Sequence, residues 1–314
     1  MQILVTGIAG FVGSHLAERL LERGHTVTGI DNFDAFYARS IKEKNLAALA
    51  GRARFIEGDI LDAALIDRIL GEQRYDAIIH LAALAGVGPS LKSPARYQRI
   101  NVEGTAVLAD ACTRNGVPSL VFASSSSVYG QNPKIPFEET DRADDPMSPY
   151  AASKRAAELV LRSAELTTGL GVTCLRYFTV YGPRQRPDMA IHKFCRAIDR
   201  GEPIRITGGA QSSRDYTYVS DIVEGTVLAV ESAGPGFRVY NLGGERATTL
   251  GDLVSLIARA IGKEPILAEA PAANGDVPHT LASVALAQRE LGYRPAVSIE
   301  EGLDRFVAWY REQG

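Results

Sequence analysis

The 314-residue chain predicts a doubly wound α/β fold: a parallel Rossmann sheet with a smaller mixed α/β domain towards the C-terminus. Two patterns carry that expectation. Short apolar runs alternate with amphipathic stretches through the first half, as parallel strands joined by helical crossovers require. A glycine-rich turn, Gly7 to Gly13, stands between the first run and the first amphipathic stretch.

Taken in order, Ile3–Thr6 reads as a buried strand and Ser14–Arg23 as a helix, with Leu16, Leu20 and Leu21 on one side and Gly24 as its stop. Strands follow at Thr26–Ile30, Arg54–Ile56, Ala77–Leu81 and Ser119–Ala123, with helices at Leu61–Leu70 and Val102–Arg114. The stretch Asn132–Pro149, rich in proline and acid, reads as a loop. Helix returns at Ala151–Thr167 and strand at Val172–Tyr177. Beyond Tyr181-Gly182-Pro183 the pattern loosens into strands at Ile204–Ile206 and Tyr216–Val219 and helices at Asp252–Ile261, Ala285–Leu291 and Ile299–Arg311. We expect residues 1–180, with about 215–242, to form the dinucleotide-binding domain, and 181–214 with 243–314 to form the second.

Hydrophobic residues make up 46% and charged residues 23%, which excludes a disordered or collagen-like chain. Lys+Arg (34) and Asp+Glu (37) nearly cancel, so no global basic field exists to hold nucleic acid. Cys112, Cys174 and Cys195 are odd in number and lack CxxC spacing, which fits reduced, buried thiols and neither a disulfide frame nor a zinc site. No apolar run approaches the roughly 18 residues of a membrane span. Met1 leads straight into Ile3-Leu4-Val5 with no charged leader, so the cytoplasm is the expected compartment.

The glycine turn has GxxGxxG spacing: Gly7 for the tight turn, Gly10 for approach of a pyrophosphate, Gly13 for packing of helix on strand. The helix that follows offers unpaired N–H groups to phosphate. Glycines can serve turn geometry alone, but Asp31-Asn32 closes the second strand 24 residues after Gly7, near the roughly 20 expected of an acid on the adenosine ribose. A carboxylate there accepts from the 2′-hydroxyl and repels a 2′-phosphate, which favours NAD over NADP. Asp59, in Gly58-Asp59-Ile60, stands where it meets the adenine or caps a helix.

Tyr150 and Lys154 form a YxxxK at a helix start, on one face by their i,i+4 spacing. A tyrosine base near neutral pH must lose about three units from its usual pKa of about 10, or roughly 4 kcal/mol. A lysine ammonium and a positive nicotinamide ring together are the expected source. Ser124-Ser125-Ser126-Ser127, at the carboxyl end of the fifth strand, forms a polar floor of four hydroxyls where ligands of open α/β sheets bind.

With these residues in view, the chain resembles the extended short-chain dehydrogenase/reductases, specifically the nucleotide-sugar epimerases. The resemblance spans essentially the whole chain. It rests on Gly7 to Gly13, Asp31-Asn32, Gly58-Asp59-Ile60, His80-Leu81-Ala82-Ala83, Asn101, the serine run, Tyr150 with Lys154, Arg176 to Pro183, Arg214-Asp215-Tyr216 and Gly275 to Pro278. It implies a tightly held NAD contacted by Gly7, Gly10, Phe11, Val12, Asp31, Asn32, Asp59, Ile60, Leu81, Ala82, Ala83, Asn101, Tyr150, Lys154, Tyr177 and Val180. It also implies hydride removal from C4 of a UDP-linked sugar, with Tyr150 taking the 4-hydroxyl proton, Ser125 shuttling it and hydride returning to the other face. His80 is expected to close its strand and move no proton. A homodimer is implied through the helices at Val102–Arg114 and Ala151–Thr167, with Ala106, Ala109 and Cys112 allowing close approach.

Related 4,6-dehydratases place an Asp-Glu pair at the positions of Ser126 and Ser127, and the decarboxylases place Glu at that of Ser127. Hydroxyls here favour 4-epimerisation. Arg184 to Ala190 and Phe33 to Tyr37 resemble segments of UDP-glucuronate 4-epimerases, so UDP-glucuronate is the expected substrate. Ser126, Ser127, Thr179, Arg186 and Met189 then face the sugar, Arg214 the diphosphate and Asp276 the uridine ribose. Gly88 and Ala273 stand where relatives carry arginines, which keeps UDP-glucose 4-epimerase as the alternative. A non-catalytic NAD-binding sensor is the distant one.

Overall fold

The computed structural model describes residues 1–206, 209–269 and 277–313. The elements run β1 (Gln2–Thr6), α1 (Phe11–Glu22), β2 (Thr26–Asp31), α2 (Arg39–Ala47), β3 (Arg54–Glu57), α3 (Ala63–Glu72), β4 (Ala77–His80), α4 (Val87–Lys92) and α5 (Pro94–Gln98). A π-helical turn at Arg99–Glu103 leads into α6 (Gly104–Arg114), then β5 (Ser119–Ser125), a 3-10 turn at Ser126–Tyr129, α7 (Pro149–Thr168), β6 (Gly171–Tyr177) and β7 (Thr179–Tyr181). Next come α8 (Ala190–Arg200), β8 (Ile204–Ile206), β9 (Ser213–Tyr218), α9 (Val219–Glu231), β10 (Phe237–Leu242) and β11 (Ala247–Thr249). The chain continues with α10 (Leu250–Ile261), β12 (Leu267–Glu269), α11 (Ala285–Leu291) and α12 (Ile299–Glu312).

Seven strands pair in parallel in the order β10-β6-β5-β4-β1-β2-β3. Alternate residues of β1 explain the two layers of helix. Ile3 and Val5 join a core that includes Leu16 and Leu20 of α1 and Val223 and Val227 of α9. Leu4 joins the opposite core with Ile66 of α3, Leu108 of α6 and Leu161 of α7. A strand buried on both faces reads as a continuous apolar run, and each such side chain contributes about 1.5–3 kcal/mol. Chain order reverses between β1 and β4, which opens a crevice at the carboxyl ends of the strands. Across it stand the sheets β11-β9-β7 and β12-β8.

Several expectations need correction. Helix α1 starts at Phe11, not Ser14, because Gly10 is its N-cap. The strand expected from Tyr216 begins at Ser213, and Val219 opens α9. Helices α2, α4, α5, α8 and α9 and strands β7, β10, β11 and β12 add to the elements that the sequence predicts. Ala109 and Cys112 are 3% and 0% exposed, so they pack in the core and offer no surface to a second chain. The exposed apolar side chains nearby are Leu159 and Leu166 of α7.

Candidate active site

A cleft of about 860 Å³ follows the crevice at the strand ends. At one end the chain leaves β1 through Gly7, whose φ of 75° suits glycine. A Cβ on Gly7 would stand 2.8 Å from the Ala82 nitrogen, and one on Gly13 would run into the Gly7 carbonyl. No side chain caps α1, so its first-turn amides face the cleft beside Gly10, Phe11 and Val12. Asp31 ends β2 and its carboxylate accepts from the amides of Ala9 (3.2 Å) and Phe33 (2.9 Å). Burial pushes that carboxyl up, opposed first by the charge of Lys42 at 4.0 Å. Asn32 donates to Asp59 (2.9 Å), which joins the ends of β2 and β3 over Ile60.

Helix α2 supplies two residues that sequence reasoning missed. Asn45 donates to the Ala9 carbonyl (3.0 Å) and braces the glycine loop. Lys42 is buried, donates to the Asp34 carbonyl (2.9 Å) and lies over the Tyr37 ring. Both sit in a strongly polar segment that carries no apolar period.

His80 ends β4 beneath Leu81, Ala82 and Ala83, which line the cleft. Thr105 donates to the Asn101 carbonyl (2.6 Å), so its oxygen is left to accept from His80 Nε2 (3.0 Å). His80 Nδ1 then accepts from Thr6 (2.8 Å), whose oxygen accepts from the Ala82 amide (3.1 Å). Burial first, then the charge of Lys154, pushes the imidazole down to about 3. It is a neutral brace, as its strand-closing position suggested. Asn101 is also a brace. It is 1% exposed, bonds both the amide and the carbonyl of Leu84, and donates to Ser153, away from the cleft.

All four serines of the floor line the cleft, but one hydroxyl is already engaged. Ser124 donates to Glu158 (2.6 Å), a buried carboxylate also held by Arg176 Nε and Nη2 at 3.0 and 2.9 Å. Ser125 donates to the Ser127 hydroxyl (3.0 Å) and accepts from the Ser127 amide (3.2 Å), so the 3-10 turn fixes Ser125, Ser126 and Ser127 along the cleft. Opposite, Ser148 caps α7 through the Ala151 amide, and Pro149 occupies the first turn. That cap places Tyr150 in the first turn of α7. Lys154, one turn on, is buried, donates to the Ala123 carbonyl (2.7 Å) and lies over the Phe122 ring. Burial pushes its ammonium down to about 7, with Glu158 opposing. Burial also raises the Tyr150 phenol, against a hydrogen-bonding pull from Ser125 and the charge of Arg186. The expected acidification by Lys154 is thus corrected: the protein's own cation acting on the phenol is Arg186.

Tyr177, Thr179 and Val180 line the next stretch, and Tyr177 shares its hydroxyl with Thr226 (2.7 Å) on α9. The following loop is tied to α1. Arg184 forks onto Glu18 (3.0 and 2.9 Å), and the Pro183 carbonyl meets His15 (2.9 Å). Arg186 enters the cleft over Phe36, its Nε and Nη2 each 2.9 Å from an Asp188 oxygen, with Met189 beside it. Asp188 was missed, although its place two residues after Arg186 was visible. Arg214 donates to the carbonyls of Ser213 (2.9 Å) and Pro278 (3.1 Å) on the far wall. Asp215, the next residue of β9, accepts from the amides of Gly244, Glu245 and Ala282. Asp276 and Ala273 lie outside the described residues. Every other expected site residue except Asn101 lines this one cleft.

Comparison with known proteins decides the family. The model of the NAD dependent epimerase/dehydratase family matches residues 3–243. This chain belongs to that family. The enzyme is 42% identical to a UDP-glucuronate 4-epimerase of Arabidopsis thaliana, over 99% of its own length and 76% of the relative's. A probable UDP-glucuronate 4-epimerase of Rhizobium meliloti is 41% identical, with 99% and 97% covered. The solved UDP-glucuronic acid 4-epimerase from Bacillus cereus, in complex with UDP-glucuronic acid and NAD, superposes with a TM-score of 0.94 at 33% identity over 100% of both chains. The UDP-glucose 4-epimerase of Thermotoga maritima, with UDP-glucose, gives 0.91 at 36%, covering 100% and 99%. The cofactor of the enzyme is NAD, and its own residues fit it: an uncapped helix end for the pyrophosphate, a Gly7–Gly13 approach with no room for a Cβ, and the Asp31 carboxylate at the end of β2.

Proposed function

We propose that the enzyme interconverts UDP-glucuronate and UDP-galacturonate by transient oxidation at C4. The observation that carries this reading is the convergence of Ser125, Ser126, Ser127, Tyr150, Lys154 and Arg186 on one cleft whose serine floor holds hydroxyls and no carboxyl. NAD, when bound, supplies the acceptor and donor of a hydride and a positive ring beside the phenol. Tyr150 takes the 4-hydroxyl proton through or beside Ser125, and the same pair returns it after the 4-keto sugar has turned. Lys154, poised near neutral pH, holds the nicotinamide ribose and exchanges a proton with the site. Ser126, Ser127 and Thr179 hydrogen-bond the C6 carboxylate, and Arg186 keeps it ionised, which restrains loss of CO2 from the 4-keto acid. Arg214 pairs with the diphosphate and Asp276 with the uridine ribose.

Gly7, Gly10, Phe11 and Val12 would hold the cofactor's pyrophosphate, and Asp31, Asn32, Asp59 and Ile60 its adenosine. Leu81, Ala82, Ala83, Tyr177 and Val180 would hold its nicotinamide half. Residues 1–180 with about 215–242 form the cofactor domain, and the rest grips the nucleotide sugar. Leu159 and Leu166, exposed on α7, support a homodimer through that helix. Free, buried Cys112, Cys174 and Cys195 support a reducing, cytoplasmic setting.

One observation favours UDP-glucose as a second reading: the charge of Arg186 is already met by Asp188. Chromatography of UDP-glucuronate, UDP-glucose and UDP-N-acetylglucosamine incubated with purified enzyme, without added cofactor, separates the readings. UDP-galacturonate is the expected product. Conversion of UDP-glucose with UDP-glucuronate untouched sinks the first reading.

A further inference from the structure

We propose that Asp188 sets the balance between acidic and neutral sugars, as an internal rival for the arginine that meets C6. The inference rests on the substrate reading above. Asp188 occupies the Nε–Nη2 edge of Arg186 with two bonds of 2.9 Å, the side-on fork geometry of a strong carboxylate pair. The pair is no surface decoration: the Arg186 side chain is 17% exposed, lies over the Phe36 ring and lines the cleft. Its field reaches the Tyr150 phenol. Arg186 lines the same cleft as Tyr150 and Ser125, Ser126 and Ser127, and in a pyranose C6 hangs from C5, next to C4, so a sugar whose 4-hydroxyl meets Tyr150 carries C6 into the part of the cleft that these residues share.

Two consequences follow. A C6 carboxylate finds only the remaining N–H groups of Arg186, on a guanidinium whose charge it must share with Asp188, and it meets a second anion at short range. A C6 hydroxymethyl group suffers no such repulsion. The Asp188 side chain is 37% exposed, so water screens part of the repulsion between two carboxylates a few ångströms apart; what remains opposes the ordering that one side-chain contact provides. Asp188 therefore narrows the preference for the acidic sugar and keeps the site open to the neutral one. An isosteric amide would keep an oxygen facing Nε while removing the charge.

The test uses the full-length enzyme with Tyr150→Phe, so that ligands bind without turning over. Dissociation constants for UDP-glucuronate, UDP-glucose and UDP are measured by calorimetry with Asp188 intact, with Asp188→Asn and with Asp188→Ser. Both sugars are read on the same preparation, so loss of folded protein cancels in their ratio. The expected result is a shift of about tenfold towards UDP-glucuronate in both variants, with UDP affinity unchanged. A merely structural role moves both sugars together and leaves the ratio fixed, which overturns the proposal. So does a shift towards UDP-glucose, which would make Asp188 an orienting device. Failure of the Asp188-intact protein to bind UDP-glucuronate while it binds UDP-glucose overturns the substrate reading and the inference with it.

Discussion

At the scale of single residues, Tyr150 stands between opposed influences. Burial raises its phenol, while Ser125 and Arg186 favour the anion. A bound pyridinium adds to the second side, so the base is complete in the holoenzyme. Tyr150→Phe keeps the ring and loses the proton acceptor. We expect it to retain NAD on gel filtration and to lose about 10²–10⁴ in kcat; undiminished turnover would remove Tyr150 from the chemistry. His80 makes a different prediction. Its folded value of about 3 lies below the 6.5 of an unfolded imidazole, so between those values the unfolded chain binds more protons and stability falls as pH falls. The slope from this residue reaches about 1.4 kcal/mol per pH unit. Urea midpoints of His80→Gln should therefore decline less than wild type between pH 6.5 and 5.

At the scale of elements, the glycine turn and α1 act as one unit, because Gly13 packs on the Gly7 carbonyl. Gly13→Ala forces them apart. The expected cost is about 1–3 kcal/mol in a denaturation curve, with loss of co-purified NAD. Such local spacings explain why part of the site was legible. GxxGxxG, YxxxK and the serine run each place their residues by geometry within one element or turn. Residues whose roles depend on a distant partner were harder to read. Asn101, expected at the cofactor, braces Leu84, and Ser124, expected on the floor, has its hydroxyl engaged by Glu158; neither contact shows in the local sequence. Helix α2 has few apolar residues to mark a face, and α9 is buried nearly all round, so neither shows the one-sided period that betrays an amphipathic helix. Helices α1, α3 and α6 are readable because each is amphipathic.

At the scale of the molecule, the proposed catalytic pair and the proposed dimer face share α7: its first turns carry Tyr150 and Lys154, and Leu159 and Leu166 stand 54% and 66% exposed on it. Leu166→Glu should convert a dimer into a monomer by light scattering, and an unchanged mass would move the interface elsewhere. The whole cleft serves a reaction with no net redox change, in which what leaves C4 comes back to C4. The measurement that reaches this claim most directly is the fate of deuterium in UDP-glucuronate labelled at C4, followed by NMR and mass spectrometry in ordinary water. The account predicts UDP-galacturonate with the label still on C4 and no build-up of reduced nicotinamide absorbance. Label appearing in solvent, or reduced cofactor accumulating with substrate loss, would contradict it.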